Sequence, residues 1–216
     1  INHFYTDSHG VTVENPRFFR QGEKRIKRSQ RRVSKKVKGS KNRGKARQVL
    51  GKHHLKISRQ RKDHAVKLAR CVVQSNDLIA YEDLSIRNMV KNHCLAKSIN
   101  DASWYQFRVW VEYFGRVFKK VTVAVNPAYT SQECSKCHVI VKKSLSSRSH
   151  VCKCGCVMDR DHNAGGIILY RGLSTTGHVG TFMLDMKNAS GELASTLAGE
   201  ILSEQVDSLN EESPHL

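Results

Sequence analysis

Five of the seven cysteines fall between residues 134 and 156. In "CSKC", Cys134 and Cys137 are separated by two residues, so one tight turn presents two thiolates to one ion. Cys152, Cys154 and Cys156 form a second cluster about fifteen residues on. Two pairs at that separation match a structural zinc ribbon, whose four ligands surround the ion tetrahedrally at about 2.3 Å. The second pair is irregular, spaced C-x-C where C-x-x-C is usual. Cys152 and Cys154 are the preferred ligands, since Gly155 directly after Cys154 suits a knuckle turn. Cys156 could replace either of them, and His138 and His150 are alternative fourth ligands. Cys71 and Cys94 read as ordinary core or surface thiols. Seven cysteines do not divide into disulfides, so the pattern reads as metal ligation in a reducing compartment.

The cysteines run straight into "VMDRDHNAGGIIL", where Asp159 and Asp161 precede an apolar segment predicted to be helical from about Asp161 to Tyr170. A second acid, Glu82, ends the apolar run of "DLIAYEDL", which predicts a buried strand from Leu78 to Tyr81. A carboxylate is costly to bury unless it is paired or coordinates a cation. Two carboxylates from separate elements can share hard cations such as Mg²⁺, which prefer oxygen ligands. Paired ions about 4 Å apart suit phosphodiester cleavage. Spacing alone leaves blander roles open: Asp161 as a helix N-cap and Glu82 as a surface acid.

Around these groups the charge is uneven. The chain has 216 residues and a formal net charge of +18. Residues 17–70 hold 22 Lys and Arg against two acids, Glu23 and Asp63, whereas residues 171–216 hold two basic residues against seven acidic ones. Apolar residues recur through the basic block at helical spacing: Phe19, Ile26, Val33 and Val37, then Val49, Leu50, Ile57, Val66, Leu68 and Val72. The intervening "KGSKNRGK" carries Gly39 and Gly44 and predicts a break. The block therefore reads as a basic helical hairpin (17–74) able to follow a phosphate backbone, with Arg31, Arg32, Lys35, Lys36, Lys41 and Arg43 as candidate nucleic-acid contacts. No stretch approaches the roughly 20 apolar residues of a membrane span.

Two short strands are predicted around Ser8-His9-Gly10, an aromatic helix over 103–118 with Trp104, Phe107, Val111 and Phe114 on one face, and a strand from Val121 to Val125. Gly115 is expected to weaken the end of the aromatic helix. Beyond Gly172 the composition predicts an acidic, flexible tail (173–216), with one weak helix over 193–206.

The order of these segments carries a resemblance. "ENPRFFRQGEKRIKRSQRRVSKKVKGSKNRGKARQVLGKHHLKISRQRKDHAVKLAR", "IAYEDLSIRNMVKN", "TSQECSKC" and "CGCVMDRDHNAGGIIL" resemble the TnpB (OrfB) family of insertion-sequence proteins, related to type V CRISPR effector nucleases. The similarity covers about residues 1–170. It implies an α/β, RNase H-like (RuvC) core over 1–129 carrying the basic hairpin, a zinc ribbon over 130–158 and a last RuvC segment over 159–172. It also implies an RNA-guided DNA endonuclease with structural Zn²⁺, catalytic Mg²⁺, a guide RNA and a DNA target, in which guide pairing reads sequence.

Matched residue by residue, Glu82 stands at the second RuvC carboxylate and Asp161 at the third, with Asp159 the lesser choice. The four preferred cysteines stand at the ribbon ligands. The family's first carboxylate would lie in an Asp-x-Gly strand just before "INHFYT". The 216 residues as given are accordingly expected not to cleave DNA by the full three-carboxylate mechanism. "NAGG", in place of the commoner "NAA", puts Gly165 and Gly166 in a helix they should weaken. The expected location is cytoplasmic and nucleoid-associated in a prokaryote. The alternative is a non-catalytic, zinc-dependent nucleic-acid-binding module or transposase remnant. For a strand-joining transposase, no tyrosine or serine nucleophile with a surrounding motif is evident.

Overall fold

The computed structural model describes residues 2–144 and 146–177, so the predicted helix over 193–206 and most of the acidic tail lie outside the described residues. In chain order the elements are β1 (His3–Thr6), β2 (Thr12–Glu14), α1 (Phe18–Ser34), α2 (Lys41–Gln74), β3 (Leu78–Glu82), α3 (Ile86–Met89), α4 (His93–Ala102), α5 (Trp104–Phe118), β4 (Val121–Val125), β5 (Ser149–Val151), β6 (Val157–Asp159) and α6 (Arg160–Thr176). The chain divides into two compact units. Among the described residues no helix is long and apolar enough to cross a membrane.

The first unit comprises Ile1–Phe4, Glu14–Ala69 and Ser85–Trp110. Its frame is the predicted helical hairpin. Ile26, Ser29 and Val33, at spacings of three and four, are the buried stripe of α1. Phe19 lies under the Arg61 guanidinium, 5.9 Å from the ring centre, and a Cβ on Gly22 would fall 2.8 Å from Ile57. Sequence numbers that rise on one helix as they fall on the other mean that α1 and α2 run antiparallel. The start of α1 is capped from a distance. Arg17 offers no side-chain cap there. Instead the buried carboxylate of Asp101, at the end of α4, accepts from Phe19 N (2.8 Å) and Arg20 N (3.0 Å) and pairs with Arg61 at 3.0 Å. A fixed anion at a helix N-terminus satisfies free backbone donors and complements the helix dipole.

Two details of the hairpin differ from expectation. α1 ends at Ser34, so Val37 lies past the helix and is 77% exposed. The connection is only Lys35–Ser40, with Gly39 at φ 82°, and Gly44 sits inside α2 rather than breaking it. Val49 is exposed, and the buried face of α2 gathers further along at Ile57, Ala65, Leu68, Ala69, Cys71 and Val73. Leu55 is exposed like Val49, so the apolar stripe read from the sequence is only partly drawn inside over the first half of α2.

The second unit comprises Tyr5–Val13, Arg70–Leu84 and the described chain from Val111 onward. β3 and β4 pair in parallel, Leu78 opposite Val121 and Glu82 opposite Val125. A parallel pair needs a long crossover, and residues 83–120 supply it. Because side chains alternate along a strand, Ala80 and Thr122 face opposite sides of the pair. A Cβ on Gly172 would fall 2.5 Å from Ala80, and one on Gly115 would fall 2.5 Å from Thr122. Thus α6 covers one face and the end of α5 the other, an α/β layering. Gly115, expected to weaken α5, is where that helix closes on β4.

α6 starts one residue earlier than predicted and runs six further, ending at Gly177 with φ 79°. Its glycines have the same purpose as Gly115. A Cβ on Gly165 would lie 2.7 Å from the Asp7 carbonyl oxygen in the loop joining β1 to β2, and one on Gly166 would lie 3.0 Å from Ser135. The helix gives up some propensity at these positions to seat its backbone against its neighbours.

Candidate active site and metal centre

Glu82 has the same parity as Ala80, so it points to the face of β3 that α6 covers. On α6, Asp161, Gly165 and Gly172 recur at helical spacing and share that face. The strand end and the helix start therefore bring the two predicted acids together. Thr130 Oγ1 donates to Glu82 Oε1 at 2.5 Å. Burial pushes the Glu82 carboxyl above its usual range, the Asp161 charge adds to that rise, and Thr130 with Arg171 oppose it. Two like-charged oxygen donors, both half-buried, form the kind of set that a hard divalent cation relieves.

Asp159 and Asp161 divide the work at the helix start. Asp159 is the N-cap, its Oδ1 accepting from Asp161 N (2.7 Å) and His162 N (3.3 Å). Asp161 is therefore not the cap, and its carboxylate pairs with Arg160 (3.2 Å) and Arg148 (3.6 Å). Asp7 is committed to its own turn, accepting from His9 N and Val11 N at 2.9 Å each.

Three residues that sequence reasoning left without a role hold this region in register. Arg171 donates to the carbonyls of Asn126 (2.7 Å) and Ala128 (2.9 Å) and pairs with Glu133 at 2.6 Å. Although burial alone would raise it, Glu133 is held below the usual carboxylate range by Arg171 and His138. Asn163 is fully buried; its amide donates to Glu133 O (2.6 Å) and accepts from Ser135 N (2.9 Å). Thr130 is the third, and the only sequence signal for it was its place at the head of "TSQEC", four residues before Cys134.

Cys134, Cys137, Cys152 and Cys154 converge. The first knuckle closes through His138 N to Cys134 O (2.8 Å) and Cys134 N to Val139 O (3.0 Å), with His138 at φ 60°. The second is the loop between antiparallel β5 and β6, closed by Cys152 N to Cys156 O (2.9 Å) around Gly155 at φ 84°. The left-handed backbone at Gly155 is the conformation a glycine adopts freely.

One sulfur from each knuckle pairs with one from the other, Cys134 with Cys154 at 3.7 Å and Cys137 with Cys152 at 3.5 Å. A tetrahedral ion with bonds of about 2.3 Å requires sulfurs about 3.8 Å apart, so the set fits zinc. All four ligand atoms lie within 4.8 Å of one another. Burial would raise the Cys134 thiol, but backbone donors at Lys136 and Cys137 bring it down; against a lowering backbone bond at Val139, Cys137 is pushed up by burial and the neighbouring sulfurs, and Cys156 is pushed up by burial and then by Cys134. Zinc binds thiolates, so an ion held here displaces the thiol protons of its ligands. His138 is no ligand here, since its Nδ1 pairs with Glu133 at 3.0 Å and its ring packs on Tyr170. His150 belongs to a second group with Cys134 and Cys156. Cys71 is buried and Cys94 exposed, both apart from the cluster.

The six candidate nucleic-acid contacts cluster at the hairpin tip. Arg31 and Arg32 are in the last turn of α1, Lys35 and Lys36 in the connection, and Lys41 and Arg43 at the start of α2. All are exposed except Arg43, which is half-buried and donates to Lys36 O at 3.3 Å.

Comparison with known proteins gives two family matches, a "Probable transposase" family over residues 1–93 and a "Cas12f1-like, TNB domain" over 104–168. A Streptomyces pristinaespiralis protein named "Putative RNA-guided DNA endonuclease" is 36% identical over 178 residues, covering 82% of this chain and 44% of that protein. An Escherichia coli K12 protein of the same description, InsQ, is 32% identical over 159 residues, covering 67% of this chain and 40% of its own. A mimivirus "TnpB-like protein" (L79) is 30% identical over 141 residues, 62% of this chain and 27% of its own. The chain thus spans less than half the length of each of these relatives.

Proposed function

The chain belongs to the TnpB/OrfB family of insertion-sequence proteins, and on that premise we propose that it is the RuvC-like core and zinc ribbon of an RNA-guided DNA endonuclease. The observation that carries this reading is that Glu82 at the end of β3 and Asp161 at the start of α6 fall on the face of the β3–β4 pair that α6 covers, where the Asp161 charge is among the influences on Glu82. Glu82 and Asp161 would hold Mg²⁺, and Cys134, Cys137, Cys152 and Cys154 a structural Zn²⁺. When bound, the Mg²⁺ supplies the Lewis acidity that phosphodiester cleavage requires. Thr130 orients the Glu82 carboxylate, and Asp159 fixes the first turn of α6 so that Asp161 faces β3. The hairpin tip would take phosphates of the guide RNA or the DNA target, consistent with a cytoplasmic, nucleoid-associated protein.

Among the described residues Glu82 and Asp161 are two of the three carboxylates that the family resemblance implies, and Asp7 is engaged in its turn. The 216-residue chain is therefore expected to bind nucleic acid without cutting it. The test is Mn²⁺ binding followed by electron paramagnetic resonance on the purified chain, alongside cleavage of plasmid DNA. The reading predicts cation uptake that Glu82→Gln and Asp161→Asn each abolish. DNA cleavage that Glu82→Gln removes would overturn the expected inactivity.

One observation favours the alternative, a zinc-dependent binding module with inert carboxylates. Asp161 already has two guanidinium partners, Arg148 and Arg160, so its charge is partly compensated. Under that reading Mn²⁺ uptake is indifferent to both substitutions, while nucleic-acid binding persists.

A further inference from the structure

We propose that the ribbon holds one divalent ion by either of two donor sets sharing Cys134: an outer set of Cys134, Cys137, Cys152 and Cys154, and an inner set built on Cys134, His150 and Cys156. The inner ligand atoms lie within 4.8 Å of one another, and all three residues are buried, whereas Cys154 of the outer set is exposed. A second observation points to a ligand. His150 Nε2 is buried, has no partner of hydrogen-bond geometry and lies beside the Cys134 sulfur, while Nδ1 lies 2.6 Å from Lys143 Nζ. A polar atom shut off from water and left without a partner is costly, and coordination to an ion removes that cost. Cys156 also gains a purpose, being a fully buried thiol beside a four-sulfur site already complete without it.

The exposed ligand is the one that oxidants and competing ions reach first. When the bonds from the ion to Cys154 Sγ and to one of Cys137 and Cys152 break, bonds to His150 Nε2 and Cys156 Sγ form, so that Cys134 and the remaining outer sulfur complete four donors and the two released thiolates take up protons from solvent. Cys156 gives up its thiol proton to solvent. Ligation through Nε2 places the ring hydrogen on Nδ1, so the Lys143 ammonium, which in this arrangement donates to Nδ1, must swing away as the ion moves to the inner set. The ribbon then keeps its ion through loss of an exposed ligand.

The inference rests on the cysteine cluster as a metal centre and is independent of the nuclease reading. It is tested with Co²⁺ on the full chain, read by visible absorption and by metal stoichiometry. Wild type should take one ion with an all-sulfur spectrum, and Cys156→Ser alone should leave that spectrum unchanged. Cys154→Ser should still take one ion, with bands moved to shorter wavelength as nitrogen replaces sulfur. Adding His150→Ala to Cys154→Ser should weaken binding by at least about tenfold.

The inference fails if Cys154→Ser loses the ion as completely as Cys134→Ser does, or if His150→Ala changes nothing in that background. It also fails if Cys156→Ser alters the wild-type spectrum, or if wild type takes two ions, since the sets would then fill together. A wild-type chain that takes no cobalt would sink the metal centre itself, a different failure from the four above.

Discussion

The basic side chains between Arg31 and Arg43 stand at the exposed tip of two long helices, where helical geometry alone spaces them. Glu82, Asp161 and the cysteines sit instead among short strands and tight turns, and each is fixed by particular partners: Thr130 on Glu82, Asp159 and Asn163 at the start of α6, Gly155 in the second knuckle. A surface that follows a polyanion tolerates variation in any one position, because counterion release sums over many contacts. Ion coordination does not, because every donor must reach one point. Robust spacing serves the first region and individually placed contacts serve the second.

The contrast can be broken most severely at the ribbon. Cys134→Ser should leave residues 130–158 without stable structure, since zinc supplies most of the folding free energy of such modules. Loss of bound zinc by elemental analysis, together with new protease cleavage inside the segment, is the expected outcome. Retained stoichiometry would refute the ligand set.

Next in size is the hidden weakness of the helical unit. Asp101→Ala strands Arg61 beside a buried site and uncaps α1, at a cost of about 3–5 kcal/mol. Urea denaturation should show it, and a loss below about 1 kcal/mol would mean that the distant cap is dispensable.

A smaller effect sharpens the picture of Glu82. Its native carboxyl has a raised pKa, so it keeps its proton more tightly than the unfolded chain does. That contribution to stability is fully present below the ordinary glutamate range and is lost as pH rises through the raised value. A cation needs the ionised form, so Mg²⁺ affinity should climb over the same window by up to about 1.4 kcal/mol per pH unit. Isothermal titration at several pH values would show the climb and then a plateau, and a flat profile would exclude Glu82 as a ligand.

Smallest in stability is the combined change of Arg31, Arg32, Lys35 and Lys36 to Ala, expected to cost only a few tenths of a kcal/mol per site. Its effect should appear in the salt dependence of DNA binding, whose log–log slope falls by about 0.9 for each phosphate contact removed. An unchanged slope would place the contacts elsewhere on the molecule.

What could be read from the sequence follows the same division. Cysteine spacing and the acids beside apolar runs were legible because metal chemistry restricts both residue type and interval. The strands at Leu78 and Val121 and the aromatic helix were legible from periodicity. The end of α1 was not, since Val37 continues the apolar pattern past a helix whose stop is set by the turn at Lys35–Ser40. Asp101 was invisible as a cap because it lies 82 residues from Phe19, whose backbone it serves. Gly165 looked like a flaw in a helix, and only the nearby carbonyl of Asp7 explains it. Spacing offered Asp161 as the helix cap, and the hydrogen bonds give that place to Asp159 instead.

Asn163 joins the first knuckle to α6 by two hydrogen bonds from one buried amide, two residues beyond Asp161. In mechanical terms it is a pin between two levers. Any turning of the knuckle about that pin rotates the first turn of the helix with it, so the bearing of the Asp161 carboxylate is set by a loop on the other side of the amide.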